Sequence, residues 1–229
     1  MSLYAIGDLH LSLGSDKPMD VFGGSWENYV EKIESGFAKL RPDDICVLCG
    51  DLTWGMTIEE ALPDFRFISG LPGRKIVLKG NHDYWWTTAT KAYRIFRENG
   101  IDGIDILHNN CYFYGEIAIC GTKGWFYEEE THGPHDKKIM NREVMRLETS
   151  LKAAGSAEKI CFFHYPPIYK DYRCTEILQL LEDYGVKICC YGHIHGAGRK
   201  YAVEGSYGGV EYRMVSADHL NFTPYKVLD

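Results

Sequence analysis

The chain has 229 residues, of which 45% are hydrophobic and 25% are charged, and its formal net charge is −7. This acidic balance weighs against a large nucleic-acid or membrane interface, because both would need a basic surface. The length and the 14% aromatic content suffice for a sizeable core, so we expect one globular domain over residues 1–229 that needs no disulfide staples.

The N-terminal residues carry neither a basic region nor a long apolar run, so no signal peptide is expected. No window approaches the roughly 18 apolar residues of a membrane span. Several of the eight cysteines lie in apolar runs, where thiols behave as small hydrophobes. Cys46 and Cys49 have the spacing of a redox or zinc pair, but no second pair with zinc-like spacing follows. We therefore expect a cytoplasmic protein with free thiols.

Strands and helices are predicted to alternate along the chain. The predicted strands occupy five apolar runs, at residues 3–7, 45–49, 75–78, 159–163 and 186–191. The predicted helices lie between and after them, at residues 25–40, from 57 onward, 87–98, 137–154 and 175–181. A hairpin is expected at residues 112–120, and closing antiparallel strands at residues 201–203 and 210–215. This order indicates an α/β layer fold with a mixed sheet or a two-sheet sandwich.

Three features of the sequence each have a structural and a functional interpretation. Residues 124–138, with three consecutive Glu, are predicted as a long loop, either a solvated surface or a lid over the site that brings His132 and His135 to substrate. Lys123 is either an exposed lysine or a ligand of a phosphate oxygen. Residues 84–86, Tyr-Trp-Trp, either pack the next helix onto the core or stack on a base or aryl group.

Ligand-capable side chains follow each of the five predicted strands. They are Asp8 and His10, Asp51, Asn81 and His82, His164, and His193 and His195. In open α/β sheets the carboxyl ends of strands form the ligand-binding edge, because loops from several strands converge there. Each residue alone has an ordinary explanation as a cap, turn or structural histidine, but five such groups in order indicate a shared site.

The residue types at these positions indicate a metal centre. Carboxylate oxygens and imidazole nitrogens suit divalent Mn, Fe, Zn or Co. Two such cations about 3.5–4 Å apart can clamp both the attacking and the leaving oxygen of an in-line displacement. A bridging carboxylate is needed to hold two cations so close, and Asp51 is the one motif carboxylate that stands alone.

Together these blocks resemble the signature of the calcineurin-like metallophosphoesterases: Asp-x-His, Gly-Asp, Gly-Asn-His-Asp/Glu, a lone His and Gly-His-x-His. The chain carries Asp8-Leu9-His10, Gly50-Asp51, Gly80-Asn81-His82-Asp83, His164 and Gly192-His193-Ile194-His195. The resemblance extends over nearly the whole chain. It implies a four-layer α/β/β/α sandwich with two mixed sheets and the metal site at the carboxyl edge of the strands.

The resemblance also implies a role for each residue. The first metal would be bound by Asp8, His10 and His195, the second by Asn81, His164 and His193, and Asp51 would bridge them. A hydroxide bridging two Mn, Fe or Zn ions would be the nucleophile. His82 would stabilise the transition state or protonate the leaving oxygen. Asp83 would orient His82.

Two departures from the family pattern narrow the expected branch. Leu52-Thr53-Trp54-Gly55 stands where protein Ser/Thr phosphatases carry an Asp-Arg-Gly block, and the third block ends in Asp83 rather than Glu. The chain looks more like the compact bacterial members, described as predicted phosphohydrolases. We expect a phosphomonoesterase or phosphodiesterase acting on a small molecule or nucleotide. The alternatives are a nuclease of the same chemistry and a non-catalytic scaffold that binds a protein partner.

Overall fold

The computed structural model describes residues 1–126 and 133–229. Its strands, numbered along the chain, are β1 (Leu3–Ile6), β2 (Ile45–Leu48), β3 (Arg74–Val77), β4 (Ile104–Ile106), β5 (Tyr112–Tyr114), β6 (Ile117–Thr122), β7 (Glu158–Phe163), β8 (Ile168–Tyr169), β9 (Tyr172–Arg173), β10 (Ile188–Tyr191), β11 (Gly205–Tyr207), β12 (Val210–Met214) and β13 (Tyr225–Leu228). Its α-helices are α1 (Tyr29–Phe37), α2 (Leu62–Gly70), α3 (Ala89–Glu98), α4 (Pro134–Ala153) and α5 (Thr175–Asp183).

The strands form two large mixed sheets. Sheet 1 has the order β13-β1-β2-β3-β4, with β1 to β4 parallel and β13 antiparallel to β1. Sheet 2 has the order β11-β12-β10-β7-β6-β5, with four parallel central strands and an antiparallel strand at each edge. Strands β8 and β9 pair separately as a short hairpin. The predicted mixed α/β fold with two sheets is therefore confirmed.

The apolar residues of the sheets divide into three core clusters, because successive side chains of a strand point to opposite faces. Val47 of β2 and Phe162 of β7 belong to one shared cluster between the sheets. Their chain neighbours Leu48 and Phe163 belong to separate clusters, the first packed with α1 to α3 and the second with α4 and α5. Each sheet therefore shares one cluster with helices and the third cluster with the other sheet.

Three helices begin at positions that differ from the predicted ones. Helix α2 begins at Leu62 rather than at residue 57, because residues 57–61 form a bend and turns. Helix α1 begins at Tyr29 rather than at residue 25, because Gly23, Gly24 and Asn28 adopt positive φ angles around a short 3₁₀ helix, Gly24–Trp26. Helix α4 begins at Pro134, a residue type favoured at the first helical position. Residues 134–138 are therefore helical, and the prediction of a loop over all of 124–138 was wrong.

The closing strands also differ from the prediction. The segment at residues 201–203 is not a strand; a 3₁₀ helix, Gly196–Tyr201, ends there, and β11 follows at Gly205. Strand β12 is antiparallel to β11 but parallel to β10. The short edge strands β4 and β13 were not predicted at all. None of the helices in the described part of the chain is long and apolar enough to cross a membrane.

Candidate metal centre

The fold brings the strand-end residues of both sheets to one place. Asp8 and Asp51 follow the neighbouring parallel strands β1 and β2, and Asn81 follows β3. His164 and His193 follow β7 and β10, which are neighbours in sheet 2. Because parallel strands end at the same edge of a sheet, all five side chains converge there. Each strand is short and buried, so its end position is fixed by the core.

Asp8, His10 and His195 form one group of potential metal ligands. The Nε2 atoms of His10 and His195 lie 3.4 Å apart, and His195 Nε2 lies 3.5 Å from Asp8 Oδ1. Around an ion with ligand bonds of about 2.1 Å, neighbouring ligand atoms are separated by roughly 3.0–3.4 Å. The donor set and its spacing therefore fit a divalent cation.

Asp8, Asp51 and His164 form a second group, so Asp8 is common to both. Asp51 Oδ2 lies 3.5 Å from His164 Nε2 and 3.8 Å from His10 Nε2, which places this oxygen between the two groups. Asn81 Oδ1 lies 2.5 Å from His164 Nε2 and 3.0 Å from His193 Nδ1. The seven residues predicted as metal ligands thus lie together, and Asp8 occupies a more central position than the sequence indicated.

Three carboxylates are buried at this edge, Asp8, Asp51 and Asp83, each at most 2% exposed. Over residues 1–126 and 133–229, none of them forms an ion pair with a lysine or arginine. Burial raises the pKa of Asp51 well above its ordinary value, and the negative charges of Asp83 and Asp8 raise it further. Burying three like charges is costly, and in the absence of metal the protonated His195 is a positive partner for Asp8 but not for Asp51 and Asp83, so the site favours a bound cation.

The histidines differ in their protonation. Burial lowers the pKa of His10 and of His193 to about 3, so both rings are neutral and free to act as metal ligands. His195 behaves differently. Burial lowers its pKa, but the neighbouring Asp8 and Asp218 outweigh that effect and raise it to about 10.

The backbone at the ligands is held in conformations that side-chain-bearing residues seldom adopt. Asp8, His10, Asp51 and His193 have φ angles of 60°, 47°, 51° and 72°. Such left-handed conformations cost free energy and persist where the surrounding structure enforces them, often at functional sites. Here they turn the chain sharply at the strand ends. In both Asp-x-His and His-x-His the backbone is therefore bent rather than extended.

Asp218 is a residue of this site that the sequence reasoning missed. Its Oδ1 lies 2.9 Å from His195 Nδ1, and its Oδ2 accepts a hydrogen bond from the backbone N–H of Gly196 at 3.2 Å. A carboxylate that holds one ring nitrogen of a histidine leaves the other free for a metal. The available signal was its position shortly after β12, at the same type of strand end as the other site residues.

Asp83 does not hydrogen-bond His82 within the described residues. Its carboxylate accepts hydrogen bonds from the backbone N–H groups of Asp51, Leu52 and Gly80 and from the indole N–H of Trp85, at 2.7–3.0 Å. His82 Nδ1 is buried without a hydrogen-bond partner in the same part of the chain. The expectation that Asp83 orients His82 is thus not met by a direct contact. Asp83 instead ties the loop after β2 to the loop after β3.

Aromatic rings surround the candidate ligands. The Trp54 ring stacks on His10, with centroids 4.9 Å apart, and its centroid lies 4.7 Å from that of His82. Trp85 is buried against Phe65, whereas Tyr84 is 52% exposed and meets His82 edge-on. Of residues 84–86, Trp85 therefore packs the core, and Tyr84 is available to a ligand.

The predicted lid is only partly described by the structure. His135 is exposed in the first turn of α4. His132 lies outside the described residues, as does the middle of the segment, residues 127–132. Lys123 is half-buried rather than freely exposed.

Solved structures with the same fold are distant in sequence. Phosphopantetheinyl hydrolase (PptH) from Mycobacterium tuberculosis is similar with a TM-score of 0.61 and 15% identity, covering 99% of this chain and 95% of that one. The protein of unknown function AQ665 from Aquifex aeolicus is similar with a TM-score of 0.50 and 18% identity, covering 98% and 95%. At these identities the likeness shows a common fold. Comparison with curated proteins found no significant match.

The sequence itself matches a family model. The model of the calcineurin-like phosphoesterases matches residues 1–197, which include every predicted metal ligand. The match agrees with the Asp and His groups that meet at the strand ends. The chain therefore belongs to the calcineurin-like phosphoesterase family and is a metal-dependent phosphoesterase.

Proposed function

We propose that the protein hydrolyses a small-molecule or nucleotide phosphoester at a centre of two divalent metal ions. The observation that carries this proposal is the pair of ligand groups that share Asp8 and face the same Asp51 oxygen. In the proposed assignment the first ion is held by Asp8, His10 and His195, the second by Asn81, His164 and His193, and Asp51 lies between them. Mn, Fe and Zn suit this mixture of oxygen and nitrogen donors.

When bound, the two cations supply Lewis-acid stabilisation of the phosphoryl oxygens and acidify a water molecule. The role of the proposed ligand residues is to hold the two cations in fixed positions. Asp51 accepts the backbone N–H of His82 at 2.8 Å, which couples the central carboxylate to the proposed acid. Asp8 accepts the backbone N–H of His193 through both oxygens, at 2.9 and 3.0 Å, and so joins the two sheets at the site.

His82 is proposed to donate a proton or a hydrogen bond to the leaving oxygen. Burial is the main cause that lowers the pKa of its ring below the ordinary value. A doubly negative phosphoryl group bound next to the ring would raise that pKa again, which favours the protonated form while substrate is present. Trp54 and Tyr84 flank the ring and limit its orientations.

We propose that residues 1–229 act as one metallophosphoesterase domain. The family match ends at residue 197, but β11 and β12, which complete sheet 2, and β13, which completes sheet 1, lie beyond it. A cytoplasmic location is proposed because all eight cysteines are free thiols, seven of them buried, which suits a reducing compartment.

The test of this function is hydrolysis of p-nitrophenyl phosphate and bis-p-nitrophenyl phosphate by metal-stripped protein re-supplied with Mn²⁺. Asp51→Asn and His82→Ala are compared with the wild type, and Asp171→Asn, an exposed carboxylate outside the proposed ligand set, is the matched control. We expect Mn²⁺ to restore activity in the wild type and the control. His82→Ala should lower kcat by about 10²–10⁴-fold while metal content is retained.

The preferred ester would assign the enzyme as a monoesterase or a diesterase. Failure of the wild type to bind any of Mn²⁺, Fe²⁺ or Zn²⁺ would contradict the proposal. Two bound ions without hydrolysis of any phosphoester would favour a scaffold on the same fold.

A further inference from the structure

A cluster of cationic side chains lies beside the candidate metal centre. Lys79 and Lys123 follow β3 and β6, at the same edge as the metal ligands but on different sheets. Helix α4 packs against β6 and brings Arg142, Glu143 and Arg146 to this place. We call these five residues the cationic cluster. Four cations and one carboxylate give it a local charge of +3 in a chain whose net charge is −7.

The carboxylate of the cluster already accepts hydrogen bonds from neighbouring side chains. Glu143 is fully buried, and its two oxygens accept hydrogen bonds from Thr122 Oγ1 and Arg146 Nη1, each at 2.6 Å. Among residues 1–126 and 133–229, the ammonium groups of Lys79 and Lys123 make neither a hydrogen bond nor an ion pair. The carboxylates that act most strongly on them are Asp83 for Lys79 and Glu143 for Lys123, and within the described residues neither forms a direct ion pair with its lysine.

The environment of Lys123 is electrostatically unfavourable for a positive charge. Lys123 is half-buried, and the like charges of Lys79, Arg142 and Arg146 act on it besides the opposite charge of Glu143. Placing like charges together away from water is unfavourable. A bound anion would offset that cost. The ammonium group also lies 4.5 Å from the ring centre of Trp125, which limits its motion.

The cluster is joined to the metal centre through the backbone. The carbonyl oxygen of Lys123 accepts the N–H of His164 at 3.2 Å and that of Tyr165 at 2.9 Å. Lys79 directly precedes Gly80, whose N–H is bound by Asp83. The backbones of both lysines are thus fixed relative to His164 and Asn81, so an anion bound by the cluster would lie at the same edge of the sheets as the metal centre.

We propose that the cationic cluster binds a second phosphate group of the substrate, so that the preferred substrates are small molecules carrying two phosphates. This inference rests on the proposed phosphoesterase function, because it assigns the group that the same site recognises besides the ester it cleaves. Both residue types suit a dianionic phosphate. Lysine offers a compact positive charge, and arginine offers paired N–H donors. The cluster selects the substrate, while the metal centre cleaves it.

The kinetic test compares alkyl monophosphates with the α,ω-alkanediol bisphosphates of three, four and six carbons, using the Mn²⁺-loaded full chain. The variants are the double substitution Lys79→Gln with Lys123→Gln, and the single substitution Arg142→Gln at an exposed position. Lys187→Gln, at the opposite end of the strands before β10, is the matched control. We expect kcat/KM to favour at least one bisphosphate by about tenfold or more in the wild type and the control. The double variant should lose this preference, and Arg142→Gln should reduce it.

A binding measurement separates this inference from the proposed function. Sulfate is titrated calorimetrically into the metal-loaded chain. We expect two sulfates on the wild type, one at the metals and one at the cationic cluster, and one on the double variant. If the metal centre is wrongly assigned, the wild type still binds one sulfate that the double variant does not. An unchanged ratio of kcat/KM together with unchanged sulfate stoichiometry in the double variant would overturn the inference, while leaving the phosphoesterase function intact.

Discussion

His195 lies between two carboxylates that act on different atoms of its ring. Asp218 Oδ1 is 2.9 Å from Nδ1, and Asp8 Oδ1 is 3.5 Å from Nε2. With Nδ1–H donated to Asp218, Nε2 is the nitrogen that faces the metal position. Such supporting carboxylates fix both the tautomer and the orientation of a ligand. The geometry therefore makes Asp218 a positioning residue for metal binding.

We expect Asp218→Asn to weaken Mn²⁺ binding by about 10- to 100-fold, because His195 loses the charged partner that holds its ring. Calorimetric titration of metal-stripped protein measures this directly, with Asp171→Asn as the control of equal chemistry at an exposed site. Activity at saturating Mn²⁺ should fall less than the affinity does. Equal Mn²⁺ affinity in wild type and Asp218→Asn would show that the hydrogen bond does not position the ligand.

Position 80 has room only for glycine, because the loop after β3 approaches the loop after β2 closely there. A Cβ atom at this position would collide with the side-chain oxygen and backbone nitrogen of Asp51. We expect Gly80→Ala to displace the central carboxylate and to reduce metal-dependent activity by about tenfold or more, since small displacements of catalytic groups are costly. Gly70→Ala is the matched control, because a Cβ atom there meets nothing within 4 Å. Wild-type activity and metal content in Gly80→Ala would disprove this account.

At the scale of elements, the second residue of β3 is a buried lysine that binds the end of the preceding helix. Lys75 is 1% exposed, and its Nζ donates hydrogen bonds to the carbonyl oxygens of Leu71 at 2.5 Å, Gly73 at 2.8 Å and Ser69 at 3.4 Å. These carbonyls lie at the end of α2 and in the turn that follows. Lys75 thus satisfies acceptors that would otherwise be unpaired and fixes the link between α2 and β3.

We expect Lys75→Met to lower the free energy of unfolding at pH 7 by about 1–3 kcal/mol, because buried carbonyl groups lose their donor. Burial lowers the pKa of Lys75 from 10.5 to about 8. The unfolded chain therefore binds more protons between these pH values, and stability rises with pH there. The contribution of the lowered Lys75 pKa to the free energy of unfolding is fully present above pH 10.5 and is lost as the pH falls through about 8.

Urea unfolding between pH 7 and 10.5 measures both effects. The difference in stability between wild type and Lys75→Met should widen as the pH rises. Lys187→Met, at an exposed position, should stay within about 0.5 kcal/mol of the wild type at every pH. A pH-independent difference would mean that Lys75 keeps its ordinary pKa in the folded protein.

At the scale of the whole molecule, bound metal should stabilise the fold. The two sheets meet at three buried carboxylates, and a cation that binds only the folded chain adds its binding free energy to stability. At a metal concentration about 100 times the Kd, this amounts to about 2.7 kcal/mol for one ion. For a chain of this size the Tm should rise by about 5–10 °C.

Calorimetric melting of metal-stripped protein with and without Mn²⁺ tests this expectation. Asp51→Asn should show a smaller rise in Tm than the wild type, since the central carboxylate is lost. Asp171→Asn should show the full rise. No change in the Tm of the wild type with Mn²⁺, Fe²⁺ or Zn²⁺ would contradict a metal centre at this position.

The sequence by itself was sufficient to predict the alternating elements and the seven candidate ligands. The physical reason is that both signals are local. Each buried run of four to six residues ends in its own polar block, as Leu3–Ile6 does before Asp8 and Ile45–Leu48 before Asp51. Because parallel strands end at one edge, local position within a strand was enough to predict that these side chains meet.

Only the tertiary structure decided which partners the polar groups take, since those contacts join distant parts of the chain. Asp83 binds the N–H of Asp51, 32 residues earlier, and Asp218 binds His195, 23 residues earlier. The pairing of edge strand β13 with β1 likewise joins the two ends of the chain. No local pattern encodes such pairs, because they arise from how the two sheets pack. The sequence marked Lys123 as a candidate phosphate ligand, but the supporting residues of the site, and the grouping of Lys123 with Lys79 and the arginines of α4, became visible only in the folded molecule.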